Sequence, residues 1–201
     1  MSSPRVADDE ATLGHASPVA QFQALVFSRR NVLAALPVVV AFCAAGASAG
    51  LYPFAAGAAL VLLGAALRAW CTLFNRYAQG ERKTLALRGP YSWTRNPLYV
   101  ANSCVLLGCA LASGALWAAP VTLVWCGLVY GQVVRHEERR LFEKYGAAYQ
   151  AYRARVGGWL PRARGDWPPA LPAPFLPALI VQSRALLWLL PFVAKAWAFH
   201  R

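Results

Sequence analysis

Charged side chains are scarce in this 201-residue chain: they make up 14% of it, whereas hydrophobic residues make up 58%. A soluble domain usually carries about a quarter charged residues, so the composition argues against an ordinary soluble enzyme. The apolar residues lie in long blocks rather than at the spacing of a soluble core. Since a membrane-spanning helix takes roughly 20 mostly apolar residues, the chain has room for about four or five spans.

Cysteine and histidine are too few and too scattered to form a covalent or metal framework. The chain has five cysteines and three histidines, every cysteine lies in an apolar block, and no C-x-x-C pair occurs. Such cysteines are typical of small buried hydrophobic side chains. A Gly-rich dinucleotide loop after a strand is also lacking, which excludes the soluble Rossmann methyltransferase fold. The sequence therefore predicts no metal site and no disulfide framework.

Acidic residues are few as well: there are 8, against 20 Lys and Arg, for a net charge of +12. A basic balance of this size attracts phosphates and is compatible with nucleic-acid binding. The basic residues, however, are concentrated at the ends of the apolar blocks, where residues that set membrane topology lie. We therefore expect the positive charge to face anionic membrane lipids and expect no nucleic-acid partner.

Four apolar blocks cover about residues 32–49, 51–74, 98–111 and 116–134. The connections within the first and the second pair of blocks are short and uncharged, whereas basic residues flank each pair. By the positive-inside rule, the N-terminus and both basic segments are cytoplasmic. The sequence thus predicts an all-α integral membrane protein of the inner or plasma membrane. It would have two transmembrane helical hairpins, or four spans.

The two ends of the chain are predicted to differ from this core. Residues 1–28 are expected to form a weakly ordered tail and a short amphipathic segment at 19–28, ahead of the membrane core at 29–165. Residues 166–201 combine a proline-rich linker with an apolar stretch at 178–199. That stretch contains two basic residues on one helical face, so it is interfacial, re-entrant or a fifth span packed against protein.

Two short motifs within the blocks have simple interpretations. Arg29 and Arg30 resemble a twin-arginine export signal, but we favour an ordinary first span, because another span follows at once. Gly127 and Gly131 form a G-x-x-x-G pair, which indicates close helix packing within the monomer or between copies.

Two polar clusters remain once topology is accounted for. The first, at 83–99, has Pro97 at the start of the third block and Asn96 in the N-cap position, where its side chain can accept from helical N–H groups. The second is Arg135-His136-Glu137-Glu138-Arg139-Arg140, whose two carboxylates point about 100° apart on a helix. An aromatic belt and a salt-bridged helix exit are the alternative interpretations. Both clusters would meet at the cytoplasmic surface, because the third and fourth blocks form one hairpin.

These clusters contain two motifs of a known family. Gly89-Pro-Tyr91-Ser-Trp-Thr-Arg95-Asn96-Pro97-Leu-Tyr99-Val-Ala101 resembles the G-x-Y-x-x-x-R-H-P-x-Y-x-G signature of isoprenylcysteine carboxyl methyltransferases. Residues 137–152, ending at Pro161, are similar to that family's E-E-x-x-L-x-x-x-F-G-x-x-Y-x-x-Y…P element. The resemblance covers residues 60–162. The wider superfamily includes phosphatidylethanolamine N-methyltransferases, whose corresponding motif has N-P-x-Y.

The resemblance implies a membrane methyltransferase that uses S-adenosylmethionine to methylate a lipid or lipidated small-molecule acceptor. Arg95 and Arg135 would be the catalytic candidates, as residues that hold an anionic group of the acceptor. By the same likeness, the cofactor pocket would be lined by Lys83, Thr84, Leu85, Ala86, Tyr91, Asn96, Pro97, Leu98, Tyr99 and Glu138.

The sequence departs from the family pattern at two positions, where Asn96 replaces His and Ala101 replaces Gly. Asn has no proton to exchange near neutral pH, so a role that depends on imidazole is lost. Phospholipid N-methylation is therefore one alternative to prenylcysteine chemistry. An NADPH-dependent membrane reductase and a non-catalytic membrane protein are alternatives of other classes. The sequence leaves the oligomeric state and any role of His136 open.

Overall fold

In a computed structural model of the chain, the described residues are 17–44, 50–76, 85–160, 180, 187 and 190–199. Seven helices are described: α1 Pro18–Ala44, α2 Leu51–Arg76, α3 Pro90–Trp93, α4 Pro97–Ala112, α5 Ala118–Tyr145, α6 Ala147–Arg155 and α7 Leu190–Phe199. Within these ranges the chain forms no strand, only an isolated parallel bridge between Thr94 and Gly157. The all-α prediction is confirmed for this part of the chain.

Two of the helices are long and apolar enough to cross a membrane, over Pro18–Cys43 and Leu51–Phe74. Helix α4 is apolar but has 16 residues, and α5 has 28 residues with the charged 135–140 cluster toward its end. The uncharged turn predicted after the third block is present, since α4 ends at Ala112 and α5 begins at Ala118. Two such helices are compatible with a membrane protein by length and composition, and the four spans stay a prediction.

Helix α1 corrects the predicted boundary at residue 28. The segment 19–28, which the sequence predicted to be separate, forms the first turns of one continuous helix. Buried Gln23 joins this segment to α5: its Nε2 donates to Gln132 Oε1 at 3.4 Å, and its Oε1 accepts from Arg139 Nη2 at 2.8 Å. Because these bonds attach the start of α1 to α5, the segment belongs to the helical core.

Packing joins α2 mainly to α4, and α1 mainly to α5. Glycines let α2 and α4 approach until their backbones touch. A Cβ atom added at Gly57 would lie 2.4 Å from the carbonyl oxygen of Gly108, and one at Gly64 would lie 2.8 Å from that of Ala101. Small residues allow such contacts between helices that the hydrophobic effect does not drive together in a membrane. We call this contact the α2–α4 seam.

Gly127 and Gly131 do not pack closely against another helix among the described residues, and their packing between copies stays a prediction. A Cβ atom added at either glycine would have no neighbour within 4 Å among the described residues. The reason is the orientation of α5: Gly127 lies beside exposed Leu128, whereas buried Cys126 faces the other helices.

The described C-terminal helix, α7, has 10 residues. Its buried Phe192 packs edge-on against Phe42 of α1, with the ring centroids 5.3 Å apart. Most of the predicted 178–199 stretch and nearly all of the predicted 166–201 segment lie outside the described residues.

Candidate active site

The connection between α3 and α4 is bound to the chain that follows α6. The backbone N–H of Arg95 donates to the Gly157 carbonyl at 2.8 Å. The Thr94 hydroxyl and the Asn96 amide both donate to the Gly158 carbonyl, at 2.9 Å and 3.0 Å. The end of the second motif is thereby fixed against the first.

Asn96 corrects the expected helix cap. It does occupy the N-cap position before Pro97, but its side chain forms no cap hydrogen bond. Its backbone carbonyl accepts from the N–H groups of Tyr99 and Val100 instead, at 3.1 Å and 3.2 Å. The physical reason is that its side-chain amide is already directed to Gly158.

An ion pair between Arg95 and Glu138 joins the two polar clusters. Nε and Nη2 of Arg95 lie 3.0 Å and 2.8 Å from Glu138 Oε1. Nη1 donates to the carbonyls of Arg153 and Val156, at 3.1 Å and 2.7 Å. Only 12% of the Arg95 side chain and 16% of the Glu138 side chain are exposed. The prediction that the two clusters meet is confirmed.

Tyrosines of α6 line the same place. The Tyr152 hydroxyl donates to the Tyr91 carbonyl at 2.7 Å. The Tyr149 hydroxyl is buried beside the Glu138 carboxylate. Burial, followed by the nearby Glu138 carboxylate, raises the pKa of Tyr149 to about 12. Burial also raises the pKa of Tyr152, so both phenols stay protonated at neutral pH.

The second carboxylate of the cluster, Glu137, faces a different environment. Its Oε1 accepts from the Tyr99 hydroxyl at 2.7 Å, and the Tyr99 ring lies 5.0 Å from that of Tyr130. Burial raises the pKa of Glu137 above its ordinary value, although the Tyr99 hydrogen bond and the Arg30 cation act in the opposite direction. The two adjacent carboxylates thus serve two sites, as their angular separation on a helix predicts.

The remaining predicted residues fall into three groups. Leu85 packs against the buried Tyr149–Tyr152 cluster, and Ala86 and Leu98 are half-buried. Arg135 is exposed, one turn before Glu138. Two predicted cofactor residues, Lys83 and Thr84, lie outside the described residues.

His136, for which the sequence suggested no role, packs against Phe27 of α1 with ring centroids 5.1 Å apart. Burial, followed by the charges of Arg140 and Arg139, lowers the pKa of His136. It is therefore neutral at physiological pH and contributes to the α1–α5 contact.

Sequence reasoning missed two inward-facing arginines. Arg68 lies within the second apolar block and donates to Asn102 Oδ1 on α4. Arg30 is half-buried on α1 and lies within electrostatic reach of Tyr99 and Glu137. The sequence could have indicated Arg68, because it lies inside an apolar block. An ionisable residue at membrane depth is a functional candidate by default.

Comparisons with known proteins agree with the motifs. A family model described as phospholipid methyltransferase matches residues 48–148, half of the chain. Over 96 residues, or 47% of the chain, the sequence is 34% identical to the cobalt-zinc-cadmium resistance protein CzcN of Cupriavidus metallidurans. Over the same length it is 31% identical to the nickel-cobalt-cadmium resistance protein NccN of Alcaligenes xylosoxydans xylosoxydans. Each match covers 43% of the relative, so the chain spans less than half the length of these curated relatives. No solved structure matches the chain.

Proposed function

Because the chain belongs to the phospholipid methyltransferase family, within the isoprenylcysteine carboxyl methyltransferase-like superfamily, we propose that it is an S-adenosylmethionine-dependent membrane methyltransferase. Its acceptor is a lipid or a lipidated small molecule. The observation that carries the proposal is the Arg95–Glu138 ion pair, which brings both family-like motifs to one half-buried place. A methyl transfer is an in-line displacement, so alignment of donor and acceptor in such a place supplies much of the rate.

The residues around Glu138 fit the chemical groups of S-adenosylmethionine. Glu138 Oε2 lies 3.9 Å from Arg153 Nε, beyond ordinary hydrogen-bond range, and so keeps capacity to accept from a ribose hydroxyl or an amino group. Arg153 supplies a cation for a carboxylate. Aromatic faces such as that of Tyr91 attract a cationic sulfonium. When bound, the cofactor would supply the electrophilic methyl group.

The two arginines proposed from sequence take different roles. Arg95 directs its N–H groups at Glu138 and at two backbone carbonyls, so we propose that it positions Glu138 and the 153–158 segment. Exposed Arg135 remains the candidate at the surface for an anionic group of the acceptor. Tyr91, Asn96, Pro97, Leu98 and Tyr99, with Leu85 and Ala86, complete the proposed cofactor pocket, and Lys83 and Thr84 are proposed from sequence alone.

For the whole chain we propose four spans, formed by α1, α2, α4 and the first part of α5. The N-terminus and the site lie on the cytoplasmic side of the inner or plasma membrane. The positive-inside rule supports this orientation. The core at 29–165 is extended to residue 18 by the continuous α1, and 166–201 forms a linker and a membrane-embedded or interfacial helix.

Phospholipid N-methylation is the second candidate, and Glu137 favours it. An amine acceptor must lose a proton before it is methylated, whereas a carboxylate acceptor needs no base. Glu137 is a half-buried carboxyl whose pKa is raised by burial, which suits a proton acceptor. Product analysis with methyl-labelled S-adenosylmethionine and lipid extracts separates methyl esters from methylated amines.

Calorimetry on detergent-purified protein tests the cofactor assignment. We expect wild type to bind S-adenosylmethionine and Glu138→Gln to bind it at least about 10-fold more weakly, since a hydrogen bond to a charged group is lost. Glu138→Ala should abolish binding. Glu143→Gln, an exposed carboxylate on the same helix, is the matched control and should bind normally. Normal affinity in a folded Glu138→Gln protein would contradict the site, and binding of NADPH instead would indicate a reductase.

A further inference from the structure

One backbone carbonyl, that of Gly158, accepts from two side chains of the first motif. The Thr94 hydroxyl donates to it at 2.9 Å and the Asn96 Nδ2 at 3.0 Å. Thr94 and Asn96 are both buried, each with 8% of its surface exposed. A carbonyl oxygen has two lone pairs, so the two donors use its full capacity. We call these three residues the Gly158 clasp.

Backbone contacts continue the clasp on either side of Arg95. The Arg95 N–H donates to the Gly157 carbonyl at 2.8 Å, beside the parallel bridge between Thr94 and Gly157. The Asn96 N–H donates to Thr94 Oγ1 at 3.4 Å. Arg95 therefore lies between two residues whose side chains are both fixed to Gly158.

Gly158 also lies against the guanidinium of Arg95. A Cβ atom added at Gly158 would lie 3.3 Å from Arg95 Nη2, the nitrogen that donates to Glu138 Oε1 at 2.8 Å. The Nη1 of Arg95 donates to carbonyls of the same segment, those of Arg153 and Val156. A shift of Gly158 would therefore change the direction in which Arg95 presents its N–H groups to Glu138.

A second arginine lies near the same carboxylate. Arg153 Nε is 3.9 Å from Glu138 Oε2, and 62% of the Arg153 side chain is exposed, against 12% of the Arg95 side chain. If Arg95 turned away from Glu138, Arg153 would be a cation still at hand to pair with it. That pairing would occupy the oxygen atom that the proposed function leaves to the cofactor.

We propose that Thr94 and Asn96 are positioning residues of the site. They hold Gly158 so that Arg95 stays on Glu138 Oε1 and Glu138 Oε2 stays open to a ligand. Their side chains act through Gly158 and not by touching the cofactor. The effect on S-adenosylmethionine rests on the proposed function, whereas the effect on the 156–158 segment does not.

The proposal also explains how asparagine can stand where the family signature has histidine. Position 96 needs an N–H donor for the Gly158 carbonyl. An amide has that donor at every pH, and imidazole keeps at least one N–H in both its neutral and its cationic form. Proton exchange is therefore not required at this position. An aspartate of the same shape, once ionised, has no donor and would repel the carbonyl oxygen.

Calorimetry with S-adenosylmethionine on detergent-purified variants tests the positioning role. Thr94→Val and Asn96→Asp remove one donor each at nearly constant shape, and each should weaken binding about 5-fold or more. Thr94→Ser keeps the hydroxyl and should bind within about 2-fold of wild type. Asn96→His keeps a donor and should bind more tightly than Asn96→Asp. Gln150→Glu makes the same amide-to-carboxylate change at an exposed position of α6, so it is the matched control and should bind normally.

Hydrogen–deuterium exchange without the cofactor supplies the second measurement. Thr94→Val and Asn96→Asp should speed exchange at residues 156–158, and Thr94→Ser should not. Faster exchange with unchanged cofactor affinity would show that the clasp is only structural, which overturns the positioning role. Equal losses in Thr94→Val and Thr94→Ser would overturn it too, because the hydroxyl would then not be the group that matters.

The two measurements keep this proposal apart from the proposed function. A wild type that binds no S-adenosylmethionine refutes the proposed function, and exchange then decides on the clasp alone. Unchanged exchange in Thr94→Val would refute the clasp whether or not the cofactor binds. If the Asn96 variants do not fold, the comparison of Thr94→Val with Thr94→Ser carries the test.

Discussion

At the residue scale, the contrast between Glu137 and Glu138 shows how one helical step separates two chemistries. Glu138 is neutralised by Arg95 in an ion pair, whereas Glu137 accepts from the neutral hydroxyl of Tyr99. Burial favours the protonated form of Glu137 and raises its pKa, while the Tyr99 hydrogen bond and the Arg30 cation act in the opposite direction.

The Glu137→Gln variant should reveal the effect of this raised pKa. A raised folded-state pKa contributes stability that is present below the ordinary Glu range and is lost as pH rises through the folded value. We expect the unfolding midpoint of wild type, relative to Glu137→Gln, to fall as pH rises above the ordinary Glu range. Glu143→Gln, which removes an exposed carboxylate from the same helix, is the control. A midpoint difference that grows in favour of wild type with pH would refute the prediction.

Arg95→Lys tests whether the planar guanidinium is required. A lysine ammonium cannot reach Glu138 and the carbonyls of Arg153 and Val156 together. We therefore expect the free energy of unfolding to fall by about 1–3 kcal/mol. Hydrogen–deuterium exchange should show weaker protection at residues 156–158. Arg155→Lys, exposed on α6, should leave exchange unchanged. Unchanged protection in Arg95→Lys would show that the segment is held by other contacts.

The residues of the site were only partly predictable from the sequence. Arg95 and Glu138 were singled out by motifs with recognisable spacing, and the structure brings the two side chains together. The carbonyls of Gly157 and Gly158 were missed, since any residue supplies a carbonyl and sequence patterns do not identify it. The Asn96 side chain was assigned to a local cap when a partner 62 residues away was available.

At the scale of elements, the α2–α4 seam makes a sharp prediction about two kinds of glycine. Gly57→Ala places a methyl group against the Gly108 backbone. We therefore expect the free energy of unfolding to fall by about 1–3 kcal/mol and the unfolding midpoint to be lower. Gly127→Ala has open space around it and gains helix propensity, so it should cause no loss. Equal effects of the two substitutions would contradict the seam.

Substitutions at two other glycines distinguish the effect of backbone strain from that of steric contact. Gly89 and Gly146 have similar dihedral angles, with φ of 61° and 51° and ψ of −130° and −123°. A Cβ at Gly89 would also lie 2.5 Å from the Phe74 ring, whereas one at Gly146 would meet nothing within 4 Å. We expect Gly89→Ala to lower the unfolding midpoint more than Gly146→Ala, which measures strain alone. An equal fall in the unfolding midpoints of the two variants would indicate that backbone strain causes the whole effect.

Helix positions followed from hydrophobic blocks and prolines, but helix partners did not. The two predicted hairpins suggested that each helix packs against the next one in the chain. In the structure, α2 packs mainly on α4. Glycines are present in several blocks, and the sequence does not show which of them face another helix. Gly127 and Gly131 have the recognised spacing but no close neighbour among the described residues, while Gly57 and Gly64 carry the contact.

At the scale of the whole molecule, the four-span proposal can be tested by labelling cysteines from each side. A Cys43→Ser background removes the exposed native thiol. Into it, Leu116→Cys places a thiol on the outer turn, and Arg155→Cys places one on the site side. A membrane-impermeant maleimide should label residue 155 in inverted vesicles and residue 116 in right-side-out vesicles. Labelling of both from one side would refute the topology.

A four-span organisation was predicted from charge distribution alone, and this topology stays a prediction. The contact between Arg68 and Asn102 was not predicted. Basic residues were interpreted only at the ends of apolar blocks, whereas Arg68 lies inside one. Composition thus predicts the membrane protein, and contacts between helices are needed to locate its polar interior.

The α2–α4 seam also limits how this gene can change in length. Gly57 meets Gly108 and Gly64 meets Ala101, and each pair of positions is seven residues apart on its own helix. Seven residues make about two helical turns, so both contacts share one face. One inserted or deleted codon between them would rotate the second contact by about 100° and drive a bulkier side chain into the neighbouring backbone. We therefore expect the protein to tolerate insertions and deletions only outside this seam.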